Sequence, residues 1–501
     1  MNASLFARLV SGFPADRAKV FLETEDGTEV SFATMLAAAG RIATLLRGAG
    51  VEPGDRVAVQ VEKSAEAVYL YLACLQVGAV YLPLNTACTA TELDYFLTDS
   101  EPKALICDPA AAEAAAPLAA VVGARLLTLG ADGAGSLIAE SAGLVSDRQV
   151  TERAGGDVVA ILYTSGTTGR SKGAMLTHDN LWANVATLHW LWGFRPGDVL
   201  VHALPLYHTH GLFVALNLML MNGGKLILLP RFEAEAVIDR LARATVLMGV
   251  PTFYTRLLAS PRLTKEAVSG TRLFISGSAP LLTQTHAEFE ARTGQRILER
   301  YGMTETGMSA SNPLVGERRA GTVGMALPGV ELRVCDAGGA PAPAGEVGVL
   351  EVRGPNVFKG YWRMPEKSAA ETRADGFFVT GDLATIGADG YVTIVGRAKD
   401  LVISGGLNIY PKEVEEALDA LPGVIESAVV GAPHPDLGEA VVAVLTVSAD
   451  PGDVPAALRA RLSGFKLPRH VAVVETLPRN SMGKVQKNLL RERFRDVFQA
   501  G

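Results

Sequence analysis

The sequence predicts an α/β fold with two domains, a large N-terminal domain over residues 1–396 and a small α+β C-terminal domain over residues 397–501. With 501 residues, the chain is too long for one compact core. Strand and helix patterns alternate in the first 150 residues and again between residues 224 and 276, which is typical of parallel sheets with helical crossovers. The N-terminal domain is therefore expected to contain two parallel-type α/β subdomains.

The first subdomain is predicted from short apolar runs that alternate with helical periods. A helix over residues 66–77 is expected to end at Gly78, and Asp108 suits the N-cap of a short alanine-rich helix over residues 109–116. The predicted strands cover residues 56–62, 79–84 and 103–107.

The second subdomain repeats the pattern, and the composition then changes. Its predicted strands cover residues 224–229, 245–250 and 272–276, with a helix over residues 234–242. Residues 345–396 are rich in glycine and β-branched residues, which predicts an antiparallel β-subdomain or barrel with strands at 347–352 and 391–395. Beyond residue 397 we expect a helix at 412–421 and strands at 427–431 and 440–447.

Composition excludes several classes of protein. The net charge is −7 and no lysine- or arginine-rich block occurs, so nucleic acid is not an expected partner. The four cysteines form no CxxC pair, which indicates reduced thiols. No N-terminal signal pattern is present and no apolar run reaches the length of roughly 20 residues that a membrane helix needs. We therefore expect a cytoplasmic protein that does not enter a membrane.

The segment AILYTSGTTGRSKG, residues 160–173, carries the strongest chemical signal. A buried strand opens into a loop of hydroxyl-bearing residues and glycines that ends at a lysine. Glycines admit a polyphosphate close to the backbone, hydroxyls donate to its oxygens, and the lysine adds a positive charge. The predicted phosphate-binding residues are Thr164, Ser165, Gly166, Thr167, Thr168, Gly169 and Lys172. The loop is not a Walker A motif, because Ser171 stands where that motif requires glycine.

This loop resembles the phosphate loop of the adenylate-forming superfamily, which includes acyl-CoA synthetases, luciferases and peptide-synthetase adenylation domains. Further motifs follow in the order of that superfamily: PLYHTHG from Pro205, YGMTE from Tyr301, Tyr361 with Trp362, TGD from Thr380, GRAKD from Gly396 and PRNSMGK from Pro478. The resemblance implies adenylation of a carboxylic acid by ATP, followed by transfer of the acyl group to coenzyme A. It also implies that the C-terminal domain is mobile about a hinge at Lys399, where many relatives have aspartate.

The resemblance also assigns site residues. It implies that Lys484 bridges the incoming carboxylate and the α-phosphate, that Thr304 contacts the α-phosphate and that Glu305 holds Mg²⁺. The remaining assignments are the adenine loop Gly277, Ser278 and Ala279, the base-contacting Tyr301 and Gly302, the ribose-binding Asp382 and Arg397, and Gly405 and Gly406 beside the CoA tunnel. Acetylation of Lys484 by a protein acetyltransferase is a further expectation, because it would remove the charge that adenylation needs.

Several longer stretches resemble malonyl-CoA synthetases, including YLPLNTACTATELDYF from Tyr81 and RYGMTETGMSASNP from Arg300. This resemblance implies malonate, and possibly methylmalonate, as the acid. A buried second carboxylate needs a cationic partner. The candidate substrate residues are Arg256, Arg272, His208 and His210.

Two alternatives stay open at this point. A CoA ligase for another small, aryl or medium-chain acid would share every ATP-binding motif. A non-catalytic adenylate-binding protein is disfavoured, because Lys172, Glu305, Asp382 and Lys484 are all present.

Overall fold

The computed structural model describes residues 2–164, 171–336, 338–459, 461–480 and 483–498. Its chain divides into two compact units. The first comprises Met1–Ala320, Ala326–Glu331 and Val352–Phe378, and the second comprises Gly321–Met325, Leu332–Glu351 and Val379–Gly501. The predicted boundary between residues 396 and 397 stays a prediction.

The strands of the described residues are, in chain order, β1 Val20–Thr24, β2 Glu29–Ser31, β3 Arg56–Gln60, β4 Val80–Pro83, β5 Ala104–Cys107, β6 Arg125–Thr128, β7 Val158–Thr164, β8 Lys172–Thr177, β9 Val199–His202, β10 Lys225–Leu228, β11 Val246–Gly249, β12 Leu273–Ser276, β13 Ile297–Met303, β14 Gly307–Ser311, β15 Met325–Ala326, β16 Glu331–Cys335, β17 Gly348–Arg353, β18 Gly360–Tyr361, β19 Phe378–Ile386, β20 Val392–Arg397, β21 Val402–Ser404, β22 Leu407–Ile409, β23 Val424–His434, β24 Gly438–Val447 and β25 His470–Val473.

The α-helices of the same residues are α1 Leu5–Ser11, α2 Phe32–Gly48, α3 Ala65–Val77, α4 Ala90–Ser100, α5 Ala112–Val121, α6 Ser136–Ser141, α7 His178–Leu191, α8 Asn217–Asn222, α9 Ala234–Leu241, α10 Pro251–Ala259, α11 Thr283–Thr293, α12 Pro365–Ala370, α13 Pro411–Asp419, α14 Val454–Leu458 and α15 Lys487–Arg493. A π-helical segment, His210–Leu216, leads directly into α8.

Parallel strands form the centres of the two large sheets. One sheet has the order β15-β14-β13-β12-β11-β9-β10-β1-β2, and its six central strands from β13 to β1 run parallel to one another. The other has the order β18-β8-β7-β4-β3-β5-β6, with parallel pairs from β7 to β6. These sheets confirm the predicted pair of parallel α/β subdomains.

The smaller sheets also follow the prediction. The order β16-β17-β19-β20 forms the β-rich part, in which β19 and β20 are antiparallel. The C-terminal strands β21 to β25 share another sheet, and buried Val414 and Leu418 of α13 pack into its apolar core. The fold class predicted from sequence is therefore confirmed.

Local chemistry explains where the elements begin and end. The hydroxyl of Ser64 accepts a hydrogen bond from the backbone N–H of Ala67 at 3.1 Å and caps α3. The same helix ends at Gly78, whose φ of 76° is left-handed, as expected for a glycine C-cap. Asp108 caps its helix as predicted, but the helical segment continues to Val121 through a 3-10 turn and α5.

Two further properties concern the helices and the cysteines. No described helix is long and apolar enough to cross a membrane. All four cysteines are free thiols, as their spacing predicted.

Candidate active site

Three neighbouring parallel strands, β11, β12 and β13, end at one edge of the large sheet. Ligands in α/β sheets bind outside the carboxyl ends of such strands. The predicted residues Gly277 and Ser278 follow β12 directly, and Thr304 and Glu305 follow β13. The topology thus brings the predicted adenine loop and the predicted Mg²⁺ ligand to the same edge.

The predicted phosphate loop joins the antiparallel strands β7 and β8. Thr164 and Lys172 are paired in the register of these strands and stand on either side of the loop. Ser165, Gly166, Thr167, Thr168 and Gly169 lie outside the described residues.

Lys172, Tyr361 and two carboxylates form one buried cluster. The Lys172 ammonium donates to the Tyr361 hydroxyl at 3.1 Å and lies 3.5 Å from Oε1 of Glu371. The Tyr361 hydroxyl lies 2.8 Å from Oε2 of Glu371 and 3.1 Å from Oε1 of Glu305. Thr164 Oγ1 donates to the same Glu305 oxygen at 3.4 Å. The cluster therefore connects the predicted phosphate-binding lysine to the predicted metal ligand.

Glu305 is a buried carboxylate whose surroundings fit a magnesium ligand. Glu305 is 5% exposed, and the hydroxyls of Thr164 and Tyr361 lie within hydrogen-bond distance of its Oε1. The described residues contain no group of three or more His, Cys, Asp or Glu side chains that could hold a metal by themselves. This donor set suits Mg²⁺, which commonly binds one or two carboxylates together with substrate phosphates and water.

Arg300 is a buried cation that sequence reasoning missed. It lies within β13, is 3% exposed, and its Nε and Nη2 atoms have no hydrogen-bond partner among the described residues. Burial lowers its pKa to about 9, so the guanidinium stays charged at neutral pH. Its side chain reaches the loop after β12, because an ideal Cβ on Gly277 would lie 2.6 Å from Nη1. The signal in the sequence was a charge inside the strand ILERYGM.

His210 lies beside this arginine. Its Nδ1 is 3.3 Å from the Ser278 hydroxyl, and its Nε2 is buried without a hydrogen-bond partner within the described part of the chain. Burial, followed by the charge of Arg300, lowers the pKa of His210 well below its usual value, so the ring is neutral. Ser278 has a left-handed φ of 71°, which is uncommon for a residue other than glycine and frequent at functional sites.

The other substrate candidates have different surroundings. Arg272 forms two hydrogen bonds to the Asp198 carboxylate, at 2.6 and 3.1 Å, and stands before the amino end of β12. Arg256 is exposed in the last turn of α10. His208 is half-buried, and its Nδ1 accepts from the backbone N–H of His210 at 3.4 Å. The contacts of Arg272 therefore indicate a structural role, whereas the charge of the buried Arg300 acts on His210.

Residues predicted to contact the base follow the same strands. Tyr301 is half-buried in β13, next to Arg300, and Ala279 is half-buried after Ser278. At Gly302 an added Cβ would lie 2.1 Å from the backbone oxygen of Gly307, so the β13–β14 hairpin requires glycine there.

In the second unit, the predicted ribose residues are paired. Asp382 and Arg397 stand opposite each other in β19 and β20, and the Arg397 Nε lies 2.7 Å from the Asp382 Oδ1. Asp382 is 4% exposed, and Arg397 also donates to the backbone oxygen of Thr380 at 3.3 Å. The arginine thus fixes the orientation of a buried carboxylate.

The remaining predicted residues of this unit lie in turns. Lys399 belongs to the 3-10 turn Ala398–Asp400, and Gly405 and Gly406 join β21 to β22 with φ values of 58° and 80°. Lys484 is exposed, and its backbone N–H donates to Oδ1 of Asn480 at 2.9 Å.

Arg479 and Asn480 form hydrogen bonds to the backbone next to and at Lys484. The backbone N–H of Lys484 donates to Oδ1 of Asn480, and the backbone N–H of Asn480 donates to the backbone oxygen of Lys484 at 2.9 Å. Arg479 donates to the backbone oxygen of Gly483 at 2.6 Å and forms an ion pair with Glu426. These contacts fix the backbone that carries the predicted catalytic ammonium.

Comparison with known proteins agrees with this arrangement. The model of the AMP-binding enzyme family matches residues 6–362, and that of the AMP-binding enzyme C-terminal domain matches residues 413–484. This chain belongs to the AMP-binding enzyme family. The crystal structure of ATP-bound MatB from Rhodopseudomonas palustris has a TM-score of 0.97 and 57% sequence identity, covering 99% of this chain and 100% of MatB.

Two relatives named for their substrates are also similar. A feruloyl-CoA synthase from an Amycolatopsis species is 39% identical over 481 residues, which cover 93% of this chain and 94% of the relative. A mitochondrial malonate–CoA ligase from Bos taurus is 34% identical over 483 residues, which cover 88% of this chain and 82% of the relative. Both are acid–CoA ligases, and this chain is an AMP-forming ligase of that kind.

Proposed function

We propose that this enzyme joins malonate to coenzyme A with the cleavage of ATP to AMP and pyrophosphate, with methylmalonate as a second candidate acid. The observation that carries the proposal is the buried Arg300, whose Nε and Nη2 atoms lack hydrogen-bond partners among the described residues. A dicarboxylate supplies the missing partner, because one carboxylate reacts while the other pairs with the guanidinium. The similarity to a malonate–CoA ligase supports the same acid.

The energetics favour a charged substrate over an apolar one. A buried, unpaired cation is costly, and a carboxylate can satisfy a guanidinium through two parallel hydrogen bonds. His210 contributes a neutral ring next to Arg300, and the Ser278 hydroxyl lies 3.3 Å from Nδ1 of that ring. An acid with a long apolar tail would leave the Arg300 charge buried and unpaired.

The reaction proceeds in two steps. A carboxylate oxygen of malonate attacks the α-phosphorus of ATP, which releases pyrophosphate and leaves malonyl-AMP. The thiol sulfur of coenzyme A then attacks the malonyl carbonyl, the bond to the phosphate oxygen breaks, and AMP leaves with that electron pair. Adenylation is needed because a free carboxylate has no adequate leaving group.

We assign the ATP contacts as the sequence motifs imply. Lys172 and Thr164, with the loop of Ser165, Gly166, Thr167, Thr168 and Gly169, bind the β- and γ-phosphates, and Thr304 contacts the α-phosphate. Asp382 accepts from the ribose hydroxyls, and Arg397 keeps its carboxylate oriented. Gly277, Ser278, Ala279, Tyr301 and Gly302 form the adenine side of the site.

Glu305 would hold Mg²⁺, which neutralises charge on the ATP phosphates when bound. The hydroxyls of Tyr361 and Thr164 lie 3.1 and 3.4 Å from one oxygen of Glu305 and keep this carboxylate oriented. An oriented carboxylate can accept the ion without rearrangement of its own side chain.

The C-terminal residues act in turn. Lys484 bridges the attacking carboxylate and the α-phosphate in the first step. The domain of residues 397–501 then turns about Lys399, and Gly405 and Gly406 admit the pantetheine arm of coenzyme A. Acetylation of Lys484 by a protein acetyltransferase would block the first step. A cytoplasmic location stays a prediction.

The alternative is a CoA ligase for an aryl acid, which the similarity to a feruloyl-CoA synthase supports. In that case Arg300 would have no carboxylate to bind. A non-catalytic adenylate-binding protein is a weaker alternative, because the described cluster keeps Lys172 and Glu305 in place.

Matched arginine variants test the proposal. Arg300→Met should lower kcat/KM for malonate by about 10²–10³-fold, the loss expected when a buried charge pair is broken. Arg256→Met removes the same group from an exposed position and should leave malonate kinetics unchanged. Both variants should bind ATP with the wild-type Kd. Unchanged malonate kinetics in Arg300→Met would refute the assignment, and a loss in Arg256→Met would move the carboxylate site to that residue.

A further inference from the structure

Lys172 already has a carboxylate partner in this structure. Its ammonium lies 3.5 Å from Oε1 of Glu371, donates to the Tyr361 hydroxyl at 3.1 Å, and stands 4.1 Å from the centre of the Tyr361 ring. The residue as a whole is 9% exposed, so its charge needs a partner when no other ligand is present.

Sheet pairing fixes this arrangement. Strand β18 lies antiparallel to β8, and Tyr361 pairs with Ala174, two residues beyond Lys172. Helix α12 follows β18, and Glu371 is its C-cap, which brings this carboxylate back to the lysine. The backbone of these strands and this helix therefore brings Glu371 within reach of Lys172.

The bond between Glu371 and Lys172 is the weakest of those that Glu371 makes. Lys367 lies 2.8 Å from Oε1 of Glu371, and the Tyr361 hydroxyl lies 2.8 Å from Oε2. Glu371 thus keeps both close partners if Lys172 moves away. A triphosphate offers Lys172 several charged oxygens, whereas Glu371 offers it one distant oxygen.

We propose that Glu371 is a positioning residue that holds Lys172 in the nucleotide-free enzyme and yields it to the ATP phosphates. This inference rests on the proposed role of Lys172 in binding the β- and γ-phosphates. Glu371 stabilises the buried ammonium at the phosphate site while the site is empty. When ATP binds, its phosphates replace the Glu371 carboxylate as the partner of Lys172. Because Glu371 competes with the phosphates, the affinity for ATP is lower than it would be without this carboxylate.

Nucleotide affinity, measured by titration calorimetry on the full chain, tests the exchange. Glu371→Gln removes the competing charge, and Glu371→Asp keeps the charge but withdraws it by one methylene. Both variants should bind ATP about two- to fivefold more tightly than the wild type, the range expected for loss of a partly exposed ion pair. Glu366→Gln removes an exposed charge from the same helix and should leave the Kd of ATP unchanged.

AMP provides the specific comparison, because it lacks the β- and γ-phosphates. The affinity for AMP should be equal in the wild type, Glu371→Gln and Glu371→Asp. Unchanged or weaker ATP binding in Glu371→Gln, or an equal gain for AMP, would overturn the exchange and leave the proposed function intact. A wild-type enzyme that binds no ATP would overturn both.

Discussion

An ideal Cβ on Gly277 would lie 2.6 Å from the guanidinium carbon of Arg300, which is closer than non-bonded carbon atoms approach without a shift. The loop after β12 therefore needs glycine at this position to leave the arginine in place. The contact places the predicted adenine loop against the arginine proposed to bind the second carboxylate, so a side chain at position 277 would displace that arginine.

Gly277→Ala should lower kcat/KM for malonate by about 10²-fold, since a misplacement of roughly 1 Å in a binding group can have that effect. The loss should be larger for malonate than for acetate, which has no second carboxylate. Gly143→Ala, where an added Cβ meets no atom within 4 Å, is the matched control and should be neutral. Equal losses for both acids would place the effect of Gly277→Ala in the nucleotide site.

Arg300→Met should make the ligand-free enzyme more stable. Replacing a buried, incompletely bonded charge by an apolar side chain of similar length should raise the free energy of unfolding by about 1–3 kcal/mol. Thermal unfolding without ligands, followed by circular dichroism, measures this gain. A lower Tm in the variant would mean that Arg300 is satisfied in the fold, and would weaken its assignment to substrate.

Lys484→Met should separate the half-reactions. Malonate-dependent exchange of pyrophosphate into ATP should fall by about 10²–10³-fold, because the variant lacks the cation at the reacting phosphate. Conversion of supplied malonyl-AMP and coenzyme A to malonyl-CoA should be nearly unchanged. Arg459→Met removes an exposed cation from the same unit and controls for a general effect of charge. Equal losses in both half-reactions would contradict the assignment.

Asp419 predicts a pH dependence of stability. Burial, together with the charges of Glu415 and Glu426, raises its pKa from 3.8 to about 7. Between these values the folded state binds more protons than the unfolded state, so this group's contribution to stability falls as pH rises from about 4 to about 7. Asp419 therefore lowers the free energy of unfolding most above pH 7.

Asp419→Asn should raise the Tm more at pH 8 than at pH 5, because the amide cannot ionise. The gain at pH 8 has an upper bound of about 4 kcal/mol, from a shift of roughly three pKa units. Glu416→Gln, an exposed change on the same helix α13, should show no such difference between the two pH values. A gain for Asp419→Asn that is equal at both pH values would exclude the ionisation of Asp419 as its cause.

Sequence patterns were sufficient for the fold because the signals are local. Alternating apolar runs located β3, β5 and β12 to within a few residues, and Gly78 ended α3 as its C-cap. The motifs likewise indicated Lys172 and Glu305. Their roles stay predictions.

Contacts between residues far apart in the chain could not be predicted from the sequence. Arg272 and Asp198 are 74 residues apart, and only the fold shows that this arginine is already paired. Arg300 could be recognised as a candidate only after its burial and its unbonded nitrogen atoms were known. The contact between Glu371 and Lys172 joins residues 199 positions apart and carries no local signal.

The proposed site for a second carboxylate is tested by the rate of AMP release from ATP, measured with coenzyme A and Mg²⁺ across a panel of acids. The panel comprises malonate, methylmalonate, succinate, acetate, octanoate, coumarate and ferulate. Malonate should give a rate far above acetate, and Arg300→Met should abolish this difference. Higher rates with ferulate, coumarate or octanoate than with malonate would contradict a site for a second carboxylate and leave Arg300 with a structural role.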